Sequence, residues 1–86
     1  MPCVSRFYGI AIYLYANDHN PPHFHAKYSG DDAAIVIQTL EILAGELPSR
    51  AASIVREWAV QHRPELLENW NRLMAGQDAL QIEPLP

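Results

Sequence analysis

One cysteine, Cys3, in a chain of 86 residues leaves no internal disulfide to form. A small stapled, secreted scaffold is therefore not expected, and a reducing cytoplasm is the expected compartment. Long hydrophobic runs are also missing. No stretch approaches the roughly 18 apolar residues that span a bilayer, and Met1 to Arg6 lacks the charged segment and apolar run of a signal peptide, so no membrane association is expected. Paired CxxC and HExxH patterns, internal repeats and low-complexity tracts are absent. Basic residues are scarce, 6 Lys and Arg against 10 Asp and Glu for a net charge of -4. That balance counts against a freely diffusing nucleic-acid binder, which normally shows a basic excess.

What is present describes one folded domain over residues 1–86. The hydrophobic content is 49%, and a chain of this length hides roughly 60 to 65% of its extended surface on folding, enough for one core. Charge is unevenly divided. Residues 1–30 hold Arg6 and Lys27 against Asp18, while the rest set Arg50, Arg56, Arg63 and Arg72 against nine acids, Asp31, Asp32, Glu41, Glu46, Glu57, Glu65, Glu68, Asp78 and Glu83. An anionic ligand is thus expected at the N-terminal half.

Residues 7–16 alternate, with Tyr8, Ile10, Ile12 and Leu14 on one side and Phe7, Ala11, Tyr13 and Tyr15 on the other, which predicts a strand with two apolar faces. Asn17 to Pro22 interrupts it as a stiff loop. Residues 23–28 predict a second strand with Phe24, Ala26 and Tyr28 on one face and His23, His25 and Lys27 on the other. A turn at Ser29 to Asp32 leads to a third strand over 33–38, and residues 39–43 add a fourth strand, the favoured reading, or Leu40 to Ala44 start a helix, with Gly45 stopping either one. Pro48 and Ser49 open a helix in which Ala51, Ile54, Val55, Trp58 and His62 form one stripe. Pro64 ends or kinks it. A second helix to about Ala75 would bury Leu66, Leu67, Trp70, Leu73 and Met74, and the tail from Ala79 follows a sheet edge or drapes over the surface. The expectation is an α+β domain: an antiparallel three- to four-stranded sheet in the N-terminal half, covered on one face by two C-terminal helices near 49–62 and 64–75. Tyr13 and Tyr15 then lie on the open face, where a homo-oligomer or a partner protein would cover them.

Three imidazoles, His19, His23 and His25, fall within seven residues. On a strand, His23 and His25 share a face with Cα atoms roughly 6.5 Å apart, close enough to reach one metal ion or one phosphate. Two chemistries compete. In the metal reading, His23 and His25 supply two ligands to zinc or a similar divalent ion, and His19 or Asp18 supplies a third, leaving an open position. In the acid and base reading, which needs no cofactor, His23 and His25 deprotonate a ribose 2′-hydroxyl and protonate a leaving oxygen. Lys27 offsets phosphate charge, and Arg6, His19 and Tyr28 contact the RNA. The bland alternative makes them ordinary surface or interface residues, with His19 capping a turn. His62, on the apolar stripe, reads as a hydrogen-bonded core or interfacial residue. Trp58 and Trp70 read as core, the helix arginines as a solvated face, and Cys3 as unreactive.

Arg6 to Gly9, the block from Asp18 to His25 with Tyr28, then Leu40 to Ile42, Gly45 to Pro48, Glu57 and Trp58, Glu65 and Leu66, Asn69 and Trp70, and Ile82 to Leu85 together resemble the small bacterial proteins of domain of unknown function family 4160. The resemblance covers nearly the whole chain, and the histidine block is its specific part. It implies a two-gene arrangement with a small partner protein encoded nearby, similar to a toxin and antitoxin pair, and it carries over no catalytic residue. A toxin-like ribonuclease subunit is the expectation that follows, with a non-enzymatic metal- or partner-binding module as the alternative.

Overall fold

The computed structural model describes residues 2–86. Its elements are β1 (Cys3–Phe7), β2 (Ile10–Tyr13), β3 (His23–Tyr28), β4 (Asp31–Val36), β5 (Ile42–Gly45) and α1 (Ser49–Met74). The strands form one sheet in the order β1-β2-β3-β4-β5, each pair antiparallel. The fold class is α+β, as the switch from twofold to helical periodicity at Pro48 implies.

The strand count among the described residues is five, not three or four, because the run expected as one strand over 7–16 holds a hairpin turn, and the residues before that turn form a strand of their own. Tyr8 and Gly9 have φ of 49° and 77°, the two positive values that a two-residue hairpin turn of this hand needs. Phe7 consequently pairs with Ile10. Tyr8, expected under the helices, is 59% exposed at the turn tip. The alternating apolar pattern runs straight through the turn, and Gly9 was its one local mark. The fourth expected strand forms later than 39–43, as β5. It stops at Gly45, where φ is 77° and an added Cβ would lie 2.0 Å from the Asp32 carbonyl oxygen.

The two expected helices are one element broken by a kink. His62 departs from helical geometry with φ -125° and ψ 19°, because Pro64 has no amide hydrogen and its ring crowds the carbonyl four residues back. The helix covers one sheet face. Trp58 is fully buried, with its ring centroid 5.2 Å from Phe7 and 6.2 Å from Phe24, and Ile10, Ile12, Leu14, Val55, Leu66 and Trp70 complete the core. Leu67 and Met74, expected inside, are each 43% exposed. His62 stands against Trp58, ring centroids 5.3 Å apart, and its Nδ1 lies 2.6 Å from Glu65 Oε1.

The tail holds the β1 edge. The Ile82 amide donates to Val4 O and Gln81 Nε2 to Cys3 O, both at 2.8 Å, and Trp58 Nε1 donates to Glu83 O at 2.8 Å. Asn69, buried in the helix, exchanges two bonds of 2.8 Å with the Leu80 backbone. No helix among the described residues is long and apolar enough to cross a membrane.

Candidate metal centre

The register decides which side chains meet on the face that α1 leaves open. Directly opposed residues share a face, so Arg6, Ala11, Lys27 and Asp32 form one row across four strands, and Tyr13, His25 and Ala34 form the next. His23 begins β3 on that face, at the end nearest Trp70, with ring centroids 5.3 Å apart.

The loop between β2 and β3 brings Asp18 over the two histidines. A turn in which the Asp18 amide donates to Tyr15 O at 3.3 Å starts it, and the Ile37 amide, bonded to Pro22 O at 3.0 Å, pins its far end. Asp18 Oδ2 thereby lies 2.8 Å from His25 Nε2 and 3.2 Å from His23 Nε2. One donor atom from each residue falls within 4.8 Å of the others. Two bonds of about 2.0–2.1 Å at a tetrahedral angle put their ligand atoms roughly 3.3 Å apart, and the two separations from Asp18 Oδ2 lie near that spacing. Side-chain exposures of 8% for His23, 19% for His25 and 21% for Asp18 leave a half-buried site with access from solvent.

The second nitrogen of His23 is the informative atom. Nδ1 lies 2.8 Å from the Pro21 carbonyl oxygen, which can only accept, so Nδ1 carries the hydrogen. In the neutral ring Nε2 is then an unprotonated acceptor facing an acceptor oxygen of Asp18. Asp18 Oδ2 also lies 2.8 Å from His25 Nε2, and a cation between it and His23 Nε2, either a proton or a metal ion, would turn that facing pair of acceptors into an attractive contact. A ligand histidine that donates its other nitrogen to a backbone carbonyl is the usual support of a protein metal site.

Around this centre, Tyr15 meets the His25 ring edge-on at 4.8 Å. Asp32 Oδ1 lies 3.9 Å from His25 Nδ1. Lys27 Nζ lies 4.0 Å from Asp32 Oδ2 and 4.9 Å above the Tyr13 ring. A hydrogen bond to Tyr15 and attraction to the same residue, with Asp32 and Tyr13 adding, hold the Lys27 pKa above its ordinary 10.5. It is a cation in the row next to His25.

Of the residues singled out from sequence, the fold thus gathers His23, His25 and Lys27, with exposed Arg6 two strands away in the Lys27 row. It does not gather the other two. His19 is exposed and outside the cluster, and of the two residues expected as a third ligand it is Asp18 that meets the histidines. Tyr28 pairs with Ile10 and packs on the core, away from the histidines. Unforeseen were the Pro21 carbonyl, Trp70, Tyr15 and Asp32. Only the last two carried a signal, as an aromatic beside the loop and an acid at strand distance from Lys27.

Among curated proteins and among solved structures, no match to the chain is found. A family model does match, over residues 9–71, a span that includes Asp18, His23 and His25. The chain belongs to the family described as domain of unknown function (DUF4160).

Proposed function

We propose that this protein is a metal-binding module in which Asp18 Oδ2, His23 Nε2 and His25 Nε2 hold one divalent ion of the zinc class, with an open coordination position for water or an anionic ligand. The observation that carries the reading is the convergence of both Nε2 atoms on one carboxylate oxygen, with Nδ1 of His23 committed to Pro21 O. Nitrogen and oxygen donors in this number suit zinc, and Lys27 supplies a positive charge beside the open position.

A second reading, a toxin-like subunit that cleaves RNA without a metal, is favoured by a different observation. The Asp18 and His25 pair lies one residue pair from Lys27, on the face that also presents Arg6. Against it stands the engagement of both His23 nitrogens, which leaves His25 alone to exchange protons with a substrate.

Elemental analysis of untagged protein separates the two. Near-stoichiometric zinc, lost in His25→Ala and kept in His19→Ala, is the expected result. Metal-free protein that takes up no zinc in calorimetry overturns the metal reading. RNA cleavage that persists in chelator and needs His25 would establish the second.

A further inference from the structure

The two edges of the sheet are treated differently. The β1 edge is held by the tail through the Ile82 amide and Val4 O. Among the described residues no strand pairs with the outer edge of β5, whose register to β4 shifts at Leu43, and all four of its residues are exposed. Ile42 and Leu43 are 48% and 51% exposed. A bare apolar edge strand is a template for pairing, and natural proteins normally blunt such an edge or cover it.

The charges at its ends say what covers it. Glu41 precedes β5 and Glu46 follows it, both exposed and neither in an ion pair among the described residues. The Glu46 end is tied to β4, where the Asp32 carbonyl accepts the Glu46 amide at 3.1 Å. Symmetric antiparallel pairing of two copies centred on β5 sets Glu41 of one against Glu46 of the other at both ends, and directly opposed like charges destabilise a strand pair. A strand with apolar side chains between two basic ends meets the same edge with attraction at both.

We infer that the outer edge of β5 is an interaction surface for a partner protein, which adds an extended apolar segment flanked by Lys or Arg to this sheet. The β5 edge lies two strands from β3 and its use does not depend on metal at Asp18.

The probes are two six-residue peptides of alternating Val and Thr, one ended by lysines and one by glutamates, titrated into the full chain at low salt by fluorescence anisotropy. The lysine-ended peptide should bind about tenfold more tightly, the effect of two end pairs changing sign, and should slow amide exchange at residues 42–45. In the doubly substituted Glu41→Lys, Glu46→Lys chain, whose changes fall on exposed positions, the preference should reverse. Binding of neither peptide, a preference untouched by the charge reversal, or slowed exchange elsewhere but not at 42–45 would overturn the proposal. So would a wild-type dimer in sedimentation that Leu43→Glu abolishes, since the occupant would then be a second copy.

Discussion

Asp18 Oδ2 and His25 Nε2 are 2.8 Å apart although seven positions separate them in the chain, and the same oxygen faces His23 Nε2. One carboxylate therefore closes the loop before β3 onto the strand and completes the donor set.

Removing that oxygen tests the donor set directly. Asp18→Asn and His25→Ala should each weaken zinc binding by at least about 100-fold, more than the loss typical of an outer-shell partner. His19→Ala should leave it unchanged. Calorimetric titration of the three variants against wild type checks this, and equal losses for His19→Ala would return that residue to the site.

Zinc should also stabilise the fold, since it binds the native state. At a free concentration 100 times its Kd the gain is about 2.7 kcal/mol, a rise in Tm of roughly 10 °C or more for a chain of this size. The gain should shrink on acidification, because protons compete for the imidazole nitrogens, and should be absent in His25→Ala. Thermal melts with and without zinc across a pH series read all three.

Two glycines with similar backbone conformations should respond differently to alanine. At Gly30 an added Cβ meets nothing within 4 Å, so Gly30→Ala should cost about 1–2 kcal/mol from the left-handed backbone alone. At Gly45 the Asp32 carbonyl stands 2.0 Å from that Cβ, so Gly45→Ala should cost clearly more and loosen β5 from β4. Denaturant unfolding of the two variants makes the comparison.

Asn69 is 1% exposed and its side chain is the hydrogen-bond partner of both Leu80 backbone groups. Asn69→Leu leaves those groups unpaired at about 1–3 kcal/mol each where they cannot reach water. Stability should fall by at least about 2 kcal/mol, with faster amide exchange along residues 79–83. A loss below about 0.5 kcal/mol would show that the tail's bonds to Trp58, Val4 and Cys3 hold it without Asn69.

Much of the architecture was legible in the residues because periodicity is a local property. The alternation from His23 to Tyr28 placed three polar side chains on one face of β3, and the stripe from Ala51 to Trp58 placed the helix on the core. Pro64 marks the kink in the sequence itself. Tyr8 and Gly9 were misread because an alternating pattern does not record where a strand turns back. Leu67 and Met74 were misplaced because the buried stripe of the second half is narrow: Leu66, Asn69, Trp70 and Leu73 face the core, and Leu67 and Met74 each lie one position beyond a member of it.

The histidine pair was determined by the sequence, since neighbours two apart on a strand must share a face. The third donor was not. Asp18 and His19 are adjacent, and only the loop's closure, set by the Tyr15 turn and the Pro22 bond to Ile37, decides which of them faces β3. The tautomer of His23 likewise depends on where the Pro21 carbonyl points. Composition and spacing name the groups able to bind a metal ion, but convergence on one point is a relation between segments, and it exists only once tertiary packing has fixed them against each other.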